Sequence, residues 1–354
     1  MVVHLNDLVT REQIGRITED ELRLQGYIRI RRGVYLPQEL LPLDAPRWKI
    51  RRVISEARAL SVSVVRKESP PPVLTLESAL VICGLNTWVN TADVSYRIEE
   101  NLGRRGTRDL PAISIGTVDI CAVKERQLLS FASRGDTVGV NGVLVAPLEV
   151  VALDCARFLH PLPGVVAVSS VLSHLSRFDR RNQSQSRVGE AQVKEAIRRE
   201  LTQVSGRKGC QQASAILDVA DAGIQTPGEG YLWWLLHCML PEHERCQLIT
   251  QFHVNAEGRN YYPDAALPHR KIYFEFDGFG KIPENERDFL TRQRALASAG
   301  WTPIRIDQRQ LGNPRTLIEY LMRELRGCGI SVHYPQGISW KPIPYALLAP
   351  ARRY

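Results

Sequence analysis

Two stretches of the chain alternate apolar and polar residues at the period of a β-strand, which turns successive side chains to opposite faces. The first is Tyr27-Ile28-Arg29-Ile30-Arg31-Arg32-Gly33-Val34-Tyr35, which predicts a hairpin with Ile28 and Ile30 inward, Arg29 and Arg31 outward and Arg32-Gly33 at the tip. The second is Ile272-Tyr273-Phe274-Glu275-Phe276-Asp277, where Ile272, Phe274 and Phe276 share one face and Glu275 and Asp277 the other. A turn through Pro268, His269 and Arg270 would bring Asp264 alongside them. Upstream of the first hairpin, Thr10-Arg11-Glu12-Gln13 and Thr18-Glu19-Asp20-Glu21 fit the capping-box pattern, so each starts a short helix, and Gly26 ends the second. Further on, Thr75 caps a helix ending near Gly84. Strands follow at 93–99, 112–124 and 136–146, the last turning at Asn141-Gly142. A helix runs from Pro147 to Leu159. Residues 206–328 read helix, helix, three strands (247–254, 261–267, 271–277), helix, strand, helix.

The polar stretch Ser176–Gly189, rich in Arg, Asn, Gln and Ser, reads as a linker or exposed loop, and Ser69-Pro70-Pro71-Pro72 as a stiff connector. These divisions predict a multi-domain α/β chain. A winged helix at 1–42 precedes an α+β middle domain at 43–205. An α/β sandwich with a mixed sheet covers 206–328, and an extended arm rich in Pro and aromatics covers 329–354. At 354 residues, two or three domains are expected.

Composition adds a partner class. Forty-six Lys and Arg against 38 Asp and Glu leave a formal charge of +8, which leans towards a polyanion. Seven cysteines without a C-x-x-C pair suit reduced thiols, hence a cytoplasmic setting. No secretory leader is evident at Met1–Asp7, and the densest apolar run, Tyr231–Leu240, is too short for a bilayer and reads as a core helix, so no membrane partner is expected. Oligomeric state is not legible.

The chemistry lies in the acidic strand. Clustered carboxylates repel and are costly to bury unpaired. A divalent cation held through oxygens is the simplest counter-charge for Asp264, Glu275 and Asp277, pointing to metal-assisted phosphodiester chemistry. The competing explanation is a structural ion pair with Lys271, Lys281 or Arg292. Glu229 occupies the last position of a capping box, Thr226-Pro227-Gly228-Glu229, and Asp277-Gly278 is a common turn pair. The set His237, Cys238, His243 and Cys246 lacks the usual spacing of zinc ligands. At the front, Arg29, Arg31 and Arg32 would contact DNA phosphates from the wing. Glu19, Asp20 and Glu21 on the preceding helix oppose that, leaving a protein-binding winged helix as the alternative.

Two resemblances follow from these motifs. Thr-Pro-Gly-Glu at 226–229, Pro-Asp at 263–264 and Phe-Glu-Phe-Asp-Gly at 274–278, with Lys281, Arg292, Gly300-Trp301 and Ile304-Arg305 in order, resemble the PD-(D/E)XK nuclease fold, and within it the very-short-patch-repair (Vsr) endonuclease branch. The front half resembles AbiEi-type antitoxins of type IV toxin–antitoxin systems, through Arg31-Arg32-Gly33-Val34-Tyr35, Leu76-Glu77-Ser78-Ala79, Gly142-Val143-Leu144-Val145 and Asp154-Cys155-Ala156-Arg157. The first resemblance implies an endonuclease or nickase acting in defence or repair. It implies Mg²⁺ (or Mn²⁺) on Asp264 and Glu275, with Glu229 completing the shell or orienting water. It also implies Lys281 stabilising charge and Arg292 gripping a phosphate. Asp277 stands where the general pattern has a lysine, a replacement the branch shares. The second implies a non-catalytic DNA-binding transcriptional regulator, with a toxin or defence-system protein as partner.

Overall fold

Reciprocal capping starts the first two helices. Thr10 Oγ accepts from Gln13 N while Gln13 Oε1 accepts from Thr10 N at 2.7 Å, and Thr18 and Glu21 repeat the exchange. The computed structural model describes residues 2–66, 71–98, 107–128, 137–278 and 286–352. The chain divides into two compact units, Met1–Cys155 and Ala156–Tyr354, so the break falls within the Leu148–Phe158 helix and not near residue 205. Among the described residues, no helix is long and apolar enough to cross a membrane.

In the first unit, a three-stranded antiparallel sheet sets Val34–Pro37 between Val9–Thr10 and Tyr27–Arg31. The predicted alternation fails at one residue. The register with Val34–Pro37 shifts between Arg29 and Arg31, a bulge that turns Arg31 inward. Arg31 is buried with Ile30 and pairs with the buried Glu125 at 2.7 Å, whereas Arg29 and Arg32 stay exposed. Arg31 is therefore corrected from an outward wing residue to a core ion pair. The neighbouring six-stranded sheet runs in the order Val138–Val140, Val143–Val145, Val73–Leu74, Val94–Arg97, Val123–Leu128, Thr107–Leu110. Asn141 and Gly142, at φ 51° and 84°, make the predicted two-residue turn.

In the second unit, a four-stranded mixed sheet runs Ile249–Thr250, Ala265–Leu267, Ile272–Asp277, Thr302–Asp307. The first two pairings are antiparallel and the last is parallel. The Glu286–Ser298 helix makes the crossover that a parallel pair requires. Leu296 of that helix, Trp301, Tyr273, Ala266 and Val254 form one cluster of the core. The sheet's other face meets the Pro227–Met239 helix. A Cβ on Gly228 would lie 2.0 Å from the Phe276 ring, so glycine is what permits this approach.

Ser176–Gly189 is not a linker. The Pro161–Ser176 helix is followed by only six residues, 177–182, before the Gln183–Gln203 helix begins. Its polar side chains are structural. Arg187 pairs with Glu190 at 2.6 Å and Asp221 at 2.8 Å and donates to Thr250 Oγ at 2.7 Å, and Lys194 pairs with Glu190 at 3.1 Å. A helix that buries charge through such pairs escapes a reading based on apolar period. The tail is irregular to Pro344 and then helical at Tyr345–Arg352. Trp340 stacks on Trp234 at 4.9 Å between centroids.

Candidate functional site

The acidic strand is placed by a tight turn. Pro268–Arg270 forms one 3₁₀ turn, and Lys271 closes it in the left-handed region at φ 51°. This sets Ala265 opposite Phe274, and Asp264 is the residue just before the paired segment. Asp264 is also fixed by the backbone, since its Oδ2 accepts from Phe276 N at 2.8 Å. The turn predicted to bring Asp264 alongside the acidic strand is present, and Asp264 meets that strand at the Phe276 backbone, next to Glu275.

The remaining candidates within the described residues have definite places. Glu275 is 3 % exposed, and Arg292, reaching in from the Glu286–Ser298 helix, forms an ion pair with it. Asp277 is held bidentately by the Nε–Nη2 edge of the Arg305 guanidinium, with Nε to Oδ2 at 3.0 Å and Nη2 to Oδ1 at 2.6 Å. Arg305 also lies 4.6 Å over the Phe289 ring, and its carbonyl accepts from Tyr320 Oη at 2.9 Å. Tyr273, on the same strand face, has its phenol pKa raised by burial first and by the Glu275 charge second. Glu229 holds its helix start, with Oε2 accepting from Gln225 N at 2.8 Å and Oε1 from Thr226 Oγ at 3.0 Å. Its helix packs on the Phe276 side of the strand. Lys281 lies outside the described residues. Arg29 sits 3.8 Å from Glu19, both well exposed, and Arg32 is exposed.

Among the described residues, no set of three or more His, Cys, Asp and Glu side chains is gathered to hold a metal ion. The zinc-like set disperses accordingly. His237 hydrogen-bonds through Nδ1 to the Trp233 carbonyl at 3.1 Å, Cys238 is buried, and His243 and Cys246 are exposed. What remains for a hard cation is the pair of carboxylates of Asp264 and Glu275 with the backbone oxygens beside them. Carboxylate oxygen is the ligand type that Mg²⁺ takes, one or two at a time with several waters kept.

Sequence reasoning missed two groups around this pair. Arg305 appeared only as part of a motif, although its strand position opposite Glu275 in the parallel register makes it the natural counter-charge. The loop 177–182 lies within the stretch read as a linker or exposed loop, and for these six residues the loop reading holds. There Arg180 lies 5.2 Å over the ring of Tyr262, two residues from Asp264, and Tyr262 stacks with His253 at 5.3 Å. Three arginines within five residues were the available signal.

Comparison of the chain with family models, with curated proteins and with solved structures returns no match.

Proposed function

We propose that this chain is a Mg²⁺-dependent (or Mn²⁺-dependent) DNA endonuclease or nickase of PD-(D/E)XK, Vsr-like type, carrying a winged helix at its front. The observation behind this reading is that Asp264, just before the Ala265–Leu267 strand, reaches the acidic strand beside Glu275, its carboxylate accepting from the Phe276 N–H. Asp264 and Glu275 would hold the ion, with the Phe276 carbonyl as a further oxygen. When bound, the ion supplies Lewis-acid polarisation of the phosphodiester and a lowered pKa for attacking water. The protein's own groups do the rest. Arg292 neutralises Glu275 while the site is empty of substrate and offers a guanidinium to a phosphate. Arg305 cancels the charge of Asp277, the residue that stands in the lysine position, so the strand does not present an extra negative charge to DNA. Glu229 would act from outside the shell, through the helix start it secures.

Supercoiled plasmid with Mg²⁺ tests the reading. Nicking is expected, and Asp264→Asn and Glu275→Gln should each lower its rate by roughly a hundredfold or more, the scale of losing one group that stabilises developing charge. Near-ultraviolet circular dichroism should stay as in the parent. If both variants nick like the parent, the assignment fails.

A second reading is favoured by the ion pairs Arg292–Glu275 and Arg305–Asp277, which balance the acidic face without a metal. It is a non-catalytic DNA-binding regulator of antitoxin type, with a toxin or defence-system protein as partner. Plasmid left intact with Mg²⁺ and Mn²⁺, alongside a retained gel shift, selects it.

A further inference from the structure

We propose that the loop at 177–182 and the stack Arg180–Tyr262–His253 form a contact surface for the phosphodiester backbone of a DNA strand, seating that strand beside Asp264. The proposal deepens the nuclease reading by adding a binding element from a helical segment outside the carboxylate motif.

The loop is built to hold its shape. Asp179 organises it, with Oδ1 accepting from Arg181 N at 2.9 Å and its carbonyl accepting from Asn182 N at 3.0 Å. Asp179 N donates to Ser186 Oγ at 2.9 Å, tying the loop to the helix that follows. Gln183 then donates to the Gln251 carbonyl, and Gln251 N donates to the Asp264 carbonyl at 3.2 Å. Two hydrogen bonds therefore connect the loop's exit to the backbone of the carboxylate residue.

The arginines face outward from this frame. Arg177, Arg180 and Arg181 are exposed, and none is ion-paired among the described residues. The one acid between them, Asp179, is occupied with its own turn. Arg180 is the most constrained, because its guanidinium lies over the Tyr262 ring, Tyr262 stacks on His253, and His253 Nε2 is 2.8 Å from Asn260 Oδ1. A guanidinium held over an aromatic ring by its charge still has N–H groups to donate, and its planar fork matches two phosphate oxygens. Holding it in place beforehand lowers the entropy lost on binding. A merely solvated basic loop has no need of a stacked, hydrogen-bonded support running to Asp264.

Fluorescence anisotropy of a labelled DNA duplex, in EDTA across a series of salt concentrations, tests this without any cleavage. The double variant Arg180→Ala/Arg181→Ala should bind about tenfold more weakly and lower the salt slope by about 2, near the 0.9 expected per lost phosphate contact. Tyr262→Ala should weaken binding in the same direction, whereas Tyr262→Phe, which keeps the ring, should bind as the parent does. Arg199→Ala, an exposed arginine on the Gln183–Gln203 helix, serves as the control. A double variant that binds within twofold of the parent overturns the proposal, and so does a parent protein that binds no DNA at low salt. Binding that behaves as expected while plasmid stays intact with Mg²⁺ and Mn²⁺ retires the nuclease reading and leaves this surface standing.

Discussion

Glu275, buried, and His237, half-buried, show how differently two titratable residues are kept. Glu275 stays at mid-strand between two phenylalanines because Arg292 meets its charge. Among the described residues His237 has no such ion pair, and its removal from water favours the neutral ring. Burial against Trp233 pushes its pKa down to about 4, from an ordinary 6.5. A histidine whose pKa is depressed in the fold contributes stability that is complete above pH 6.5 and is lost as pH falls towards 4. The melting temperature of the protein should therefore drop through that window. His237→Asn, which keeps a donor for the Trp233 carbonyl but does not titrate, should flatten the drop. An unchanged profile in the variant would refute the assignment. At this scale the sequence was partly legible. The acidic face was readable from alternation. The inward turn of Arg31 was not, because one inserted residue reverses the faces and leaves no mark in the pattern of residue types.

Elements were more legible than their partners. Capping boxes, the Asn141-Gly142 turn and the 265–277 hairpin all follow from local rules, and all are present. The Gln183–Gln203 helix was missed because its buried positions include Ser186 and Glu190, polar residues held by hydrogen bonds and ion pairs that break the apolar period. Gly228 belongs to the same category. Its motif reads as part of a helix start, yet its structural demand comes from Phe276, on a strand far downstream. Gly228→Ala is expected to destabilise the protein by about 1–3 kcal/mol, the cost of overpacking a filled contact, against the small gain in helix propensity. Urea denaturation would measure it. Phe276→Leu, by making room, should recover part of the loss in the double variant.

For the whole molecule, the excess of eight positive charges is a statement about partners, and its distribution matters more than its sum. Arg31 adds to the total but is spent internally on Glu125, while Arg32 is on the surface. If the front unit touches DNA, Arg32→Ala should reduce the salt slope of binding by about 1 and leave stability unchanged. Arg31→Ala should leave the slope alone and cost about 3–5 kcal/mol in denaturant titrations, because it strands a buried carboxylate. The reverse pattern would restore Arg31 to the wing. The division at Cys155 was not legible either. Middle-region helices from 161 onward carry no compositional mark of belonging with the C-terminal sheet.

The hairpin at 265–277 also sets a sequence of events in time. Its two strands are neighbours along the chain, and hairpins close in roughly 1–10 microseconds. Its counter-charges come from farther away: Arg292 is 17 residues from Glu275, and Arg305 is 28 from Asp277 and arrives only with the parallel strand. Such crossover pairing is intrinsically slow, because loop closure must precede its contacts. The hairpin is therefore expected to close before the arginines arrive. Electrostatic repulsion is loaded into the early stage of folding, and the slow stage that relieves it also finishes the site.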